Sequence, residues 1–181
     1  MPDLIFLDTE TTGLDPDLHE IWEIAWAINN EIPVQERILV HSLKTANPQA
    51  LEVNGYLEHF PEGARSQGPM VDLEVRQVLE GNTIVCANPT FDRMFMRKRW
   101  GFEPYHYRSV DIESFAMGIL DYEFPKGLKD IAVDLRARWN FNIAEPVHRA
   151  WADVVTLREC YKALREVQHQ RFTALEAAGY E

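Results

Sequence analysis

Five side chains in this sequence are of types that hold metal ions and move protons, and they fall in three places. Asp8 and Glu10 stand one residue apart at the end of the apolar run Leu4–Leu7, Asp92 lies in the segment NPTFD, and His148 precedes Asp153 by five positions. Residues two apart on an extended strand project from one face, so Asp8 and Glu10 present two carboxylates together. Two hard oxygen donors make half of a divalent cation site. A run as apolar as LIFL belongs inside a sheet, where adjacent carboxylates repel each other and lose hydration. They stay ionised there only against a compensating cation.

Spacing alone does not decide the matter. With 29 acidic residues in 181, acidic pairs separated by one residue occur five times: Asp8/Glu10, Asp15/Asp17, Asp72/Glu74, Asp111/Glu113 and Asp121/Glu123. About four or five are expected by chance. Asp15/Asp17 reads as a turn and Asp72/Glu74 as an exposed helix face, which leaves Asp8/Glu10 distinguished by its apolar run. The other three side chains have ordinary readings too. Asp92 falls in the first turn of a helix, where Asn88, Thr90 and Asp92 are all capping types and the helix dipole favours an acid. His148 and Asp153 sit at the start of the last helix, where Asp153 can cap or simply be solvated.

The elements that must position these groups follow from periodicity. Leu4–Leu7 predicts a strand closing at Asp8, followed by a turn-rich stretch with Gly13, Asp15 and Pro16. Ile21–Ile28 predicts a second strand and Arg37–Leu43, alternating around Ile38, Val40 and Ser42, a third, in an antiparallel meander. Helices are predicted over Pro48–Leu57 and Val71–Leu79, separated by a loop containing Pro61, Gly63, Gly68 and Pro69. Thr83–Ala87 reads as a strand, Phe91–Trp100 as a helix stopped by Gly101, Tyr107–Val110 as a strand, and a further helix starts near Ile112. Two more helices cover Gly127–Trp139 and Ala150 to about Val167, the last with Val154, Leu157, Tyr161 and Leu164 at helical spacing. The predicted class is α/β: a five-stranded mixed sheet, three antiparallel strands first, flanked by helices.

Composition bounds the function. With 46% hydrophobic and 26% charged residues the chain is globular, read as one domain over residues 1–170 with a short tail over 171–181. Eighteen basic residues against 29 acidic ones leave a net charge of −11, which argues against coating nucleic acid or an anionic membrane. Cys86 and Cys160 lie far apart in apolar surroundings and read as buried thiols in a reducing compartment. The start MPDLIFLD carries neither a signal peptide nor a membrane span, so a cytoplasmic protein with no membrane partner is expected.

Taken together, LDTETTGLD at residues 7–15, NPTFD at 88–92, and His148 with Asp153 resemble the three motifs of the DnaQ-like 3′ to 5′ exonucleases. The match is to the subgroup with four acids and a histidine (DEDDh), similar to the proofreading subunit of DNA polymerase III, ribonuclease T and oligoribonuclease. It covers roughly residues 4–165, and Pro89 and Asn54 depart from the family's usual residues. The resemblance implies a ribonuclease-H-like fold and hydrolysis of single-stranded DNA or RNA from the 3′ end to nucleoside 5′-monophosphates. It implies two divalent cations, Mg²⁺ or Mn²⁺, held by Asp8, Glu10, Asp92 and Asp153, with His148 as general base. An imidazole in water titrates near pH 6.5, which suits that exchange of protons.

By the same resemblance Thr11, Thr12, Gly13 and Leu14 meet the terminal nucleotide, with Asn88 and Phe91 on the other side; packing in the core is the ordinary reading of Phe91. The cluster Arg93, Arg97, Lys98 and Arg99 reads as a solvated face or as a phosphate track. The resemblance leaves room for a partner DNA polymerase and for a homodimer. The alternative is a non-catalytic module of the same fold that binds nucleic acid or a polymerase. Four negatives now serve as metal ligands, so the acidity no longer argues against nucleic acid and instead makes its binding depend on the cation.

Overall fold

The computed structural model describes residues 2–38, 40–60 and 68–178. Five strands form one mixed sheet: β1 (Leu4–Thr11), β2 (Ile21–Ile28), β3 (Val34–Arg37), β4 (Thr83–Cys86) and β5 (Val110–Asp111). Their order is β3-β2-β1-β4-β5, with β1, β2 and β3 antiparallel and β4 and β5 parallel to β1. The predicted class and the antiparallel start are both observed.

Alternation along the central strands divides the core between two faces. Phe6, Ala25, Ala27 and Val85 pack against α5 (Ile112–Leu120), α6 (Leu128–Trp139) and α7 (Ala150–Ala177). Ile5, Leu7, Ile24, Trp26 and Ile84 face the opposite way, onto α3 (Gly68–Leu79) and α4 (Pro89–Trp100). By the same alternation Asp8, Glu10 and Glu23 fall on the α7 side. Cys86 and Cys160 are buried and free. Among the described residues no helix is long and apolar enough to cross a membrane.

Several boundaries differ from expectation for physical reasons. β1 does not close at Asp8 but continues to Thr11, with its register against β2 shifting between Glu10 and Thr11. The carboxylates therefore lie on a paired strand, which fixes their direction more firmly than a loop would. β3 lies at Val34–Arg37 instead of Arg37–Leu43, because Asn29 takes left-handed backbone (φ 48°) in the preceding turn and sets Val34 opposite Trp26. Ile38 and Val40 are buried beyond the strand's end, which explains the alternation there; Leu39 is outside the described residues.

The helix expected over Pro48–Leu57 is two, α1 (Pro48–Val53) and α2 (Tyr56–His59), parted by Asn54 and the left-handed Gly55 (φ 64°). α1 starts where the Asn47 side chain accepts from the backbone N–H groups of Gln49 and Ala50. α3 begins at Gly68 and not Val71, and the loop expected at Pro61 and Gly63 lies outside the described residues. β5 is only two residues long, since Tyr107 is exposed ahead of it. α7 runs unbroken to Ala177, although Val167 is its last buried residue.

Candidate metal and active site

The site forms where β1 ends. Asp8 and Glu10 project from the strand, Asp92 comes from the first turn of α4 and Asp153 from the first turn of α7. Asp92 is 2% exposed, and its Oδ1 accepts a 2.7 Å bond from the Thr9 hydroxyl, which ties α4 to the strand between the two carboxylates. Asp153 Oδ1 accepts from the backbone N–H of Val147 at 2.8 Å. Ligand atoms of Glu10, His148 and Asp153 all lie within 4.8 Å of one another. His148 is exposed in the turn before α7, on left-handed backbone with φ 55°, a conformation uncommon outside glycine in which His, Asn and Asp are enriched.

Burial and mutual repulsion set the electrostatics of this cluster. Burial raises Asp8 well above the carboxylate range, and the charges of Asp92, Glu10 and Asp153 raise it further. Burial, with Asp153 and Glu23 adding, takes Glu10 to about 8. Asp92 is pushed to about 7 by burial, opposed by the Thr9 hydroxyl, and Asp153 is raised by burial against the Val147 N–H. Among the described residues none of the four forms an ion pair with Lys or Arg. Glu10, Asp153 and His148 offer oxygen and nitrogen donors close enough to share a divalent cation, while Asp8 and Asp92 act on the cluster through their charge and lie outside that 4.8 Å group.

Around this centre the other expected residues divide. The Thr11 hydroxyl donates to the Gly13 carbonyl at 2.6 Å. Thr12 is held at its N–H by the Glu20 carbonyl, at its own carbonyl by Asn47 N–H, and at its hydroxyl by Glu20 N–H. At Gly13 a Cβ would lie 2.4 Å from the His19 ring, so the loop packs closely there. Leu14, 75% exposed, is left open to a ligand. Asn88 is exposed on left-handed backbone and its side chain does not cap α4. Phe91 is half-buried, 4.9 Å from the Phe95 ring and packed on the core.

The basic cluster on α4 is largely neutralised. Arg93 pairs with Glu103, Lys98 with Asp17, and Arg99 grips Asp72 through two nitrogens while Trp100 donates to the same carboxylate. Asp72 is therefore an anchor and not a solvated helix position. Of the four cations only Arg97 makes no ion pair among the described residues.

A family model described as Exonuclease matches residues 5–161. The chain belongs to the exonuclease family. Its resemblance to DnaQ-like 3′ to 5′ exonucleases is thereby borne out. An oligoribonuclease from Chromobacterium violaceum is 28% identical, the match covering 90% of this chain and 93% of that protein. A PolC-type DNA polymerase III from Ureaplasma parvum is 23% identical over 89% of this chain but only 11% of the polymerase. Among solved structures, a zinc-bound complex of Escherichia coli exonuclease I with single-stranded DNA superposes with a TM-score of 0.67 at 18% identity, over 98% of this chain and 43% of that one. The fold of this exonuclease-family domain is the ribonuclease-H-like one.

Two further residues lie at this candidate site: Asn54, which the sequence marks only as a departure from the family's usual residue, and Glu23, which no motif singles out. Asn54 is buried beside Glu10, where its Nδ2 donates to the Thr11 carbonyl at 2.9 Å and its Oδ1 has no partner among the described residues. Its amide opposes the rise of the Glu10 pKa. Glu23 is fully buried on β2, directly opposite Glu10. The signal for Glu23 is present in IWEIAWA, one charge inside an otherwise apolar strand.

Proposed function

We propose that this domain is a metal-dependent 3′ to 5′ exonuclease that removes nucleoside 5′-monophosphates from single-stranded DNA or RNA ends. The observation that carries the reading is the cluster of Glu10, Asp153 and exposed His148, whose ligand atoms lie within 4.8 Å of one another, beside Asp8, which feels the charges of Glu10, Asp92 and Asp153. Support for a single-stranded substrate comes from a neighbour of the same fold, exonuclease I, bound to single-stranded DNA.

Asp8, Glu10, Asp92 and Asp153 would hold two divalent cations, Mg²⁺ or Mn²⁺. When bound, these supply Lewis-acid activation of water and neutralise charge on the phosphodiester. His148 accepts the proton of the attacking water at a ring nitrogen, and its exposed turn lets it pass that proton to solvent. Leu14 packs against the terminal base from one side, and apolar contact of this kind takes any base without reading its identity. Asn88 and the free edge of Phe91 bound the opposite side, while Thr11, Thr12 and Gly13 hold the loop that presents Leu14.

End-labelled DNA and RNA oligonucleotides of two to thirty nucleotides, incubated with Mg²⁺, Mn²⁺ or a chelator, test the reading. Stepwise loss of 3′ nucleotides in metal only is expected. His148→Ala should lose at least about 100-fold in kcat while still binding Mn²⁺, and Asp8→Ala should lose both. Strand binding without cleavage in the presence of metal would turn the assignment towards a non-catalytic module.

A further inference from the structure

Glu23 is the most completely buried charged side chain of the sheet, 0% exposed in the middle of β2. A carboxylate in that position is tolerated only when its lone pairs are fully met. Arg149 supplies two donors, Nη2 at 2.8 Å to Oε1 and Nε at 3.2 Å to Oε2. The backbone N–H of Ala150 donates to Oε2 at 3.0 Å, the Gln35 amide donates to Oε1, and the Arg37 Nε stands 3.7 Å away. Ala150 opens α7, and the residue before it, Arg149, places no side-chain cap on the helix. The cap comes from another element: Glu23 on β2 takes the N–H of the first helical residue, one of the four that a helix start leaves free.

The location gives this cap a second consequence. Glu23 is the cross-strand partner of Glu10. On the other side of His148, the Val147 N–H is held by Asp153. The turn from Val147 to Ala150 is thus gripped by one carboxylate on each flank, with left-handed His148 between them. We propose that Glu23 is a positioning residue: through Arg149 and Ala150 it locks the turn so that the His148 imidazole stays over Glu10 and Asp153. The inference rests on the reading of His148 as proton acceptor.

The test uses Glu23→Gln and, should that protein not fold, Arg149→Ala, each made alone and with His148→Ala. Gln keeps the shape but turns an amide donor toward the Arg149 and Ala150 donors. Steady-state turnover, Mn²⁺ affinity by calorimetry and amide hydrogen exchange across residues 147–151 are measured. The expected result is a kcat lower by about 10- to 100-fold, the scale of an ångström-sized misplacement, with KM and Mn²⁺ affinity within about twofold. Exchange should accelerate at 147–151 and not in the sheet, and the kcat loss should vanish in the His148→Ala background. Unchanged kcat, an equal further loss without His148, or uniformly faster exchange would each overturn the proposal. If His148→Ala alone keeps normal turnover, it is the proton-acceptor reading that fails, and local exchange still decides whether Glu23 holds the turn.

Discussion

At the scale of single residues, the chemistry depends on which charges are left uncompensated. Glu23, fully buried, and Asp72, half-buried, are acids satisfied by arginines, and they serve as anchors. Asp8, Glu10, Asp92 and Asp153 are buried or half-buried acids with no arginine or lysine partner among the described residues, and burial raises the pKa of each. Thr9 tunes one of them, since a hydrogen bond to the ionised form favours that form. Thr9→Val keeps the side-chain shape and removes the bond. Asp92 should then climb above about 7, and the midpoint for Mn²⁺ in calorimetry at pH 7 should weaken by about tenfold, the scale of one hydrogen bond to a charged group. An unchanged midpoint would show that Thr9 only closes the packing.

Secondary-structure elements place these residues, and here punctuation by glycine outweighs periodicity. Gly55 separates α1 from α2 with φ 64°, and an added Cβ would meet the His59 ring at 2.9 Å. Gly55→Ala should cost about 1–2 kcal/mol, or a fall in Tm of roughly 2–8 °C for a chain of this size, readable in a thermal melt. It should also loosen Asn54 and so the carbonyl of Thr11. The same region shows why the sequence was only partly legible. Val53, Tyr56 and Leu57 keep three-and-four spacing across the break, so the pattern persists through a residue whose backbone does not. Asp8 and Glu10 were legible because period-two alternation and an apolar run both point at them. Glu23 stands out as one charge in an apolar strand, but its role was not legible, because its partners Arg149 and Ala150 are distant in sequence, and only the antiparallel register of β1 and β2 sets it opposite Glu10.

For the whole molecule, the raised carboxylates couple stability to pH and to metal. Their folded-state values lie above the ordinary range near 4, with Glu10 at about 8 and Asp92 at about 7, so the folded protein binds more protons than the unfolded chain in between. Stability therefore falls as pH rises from about 4.5 to about 8 in metal-free protein, the reverse of a salt-bridged acid. Mg²⁺ or Mn²⁺ should restore it by displacing those protons, so the metal-induced gain in Tm should grow over the same interval. Calorimetric scans at pH 5, 6.5 and 8 with chelator and with Mg²⁺ check both trends. A metal-free Tm that rises across this range would contradict the raised values.

The order in which the chain supplies the site has a consequence for its making. Asp8 and Glu10 belong to the first strand, Asp92 follows β4 in the chain, and His148 and Asp153 come with the last helix. A growing chain on the ribosome holds the first carboxylates early but has no complete centre until α7 has emerged and been capped by Glu23. On the proposed function, cleavage would then wait for the last helix, while the chain is made close to the very class of polymer the finished domain is proposed to cut.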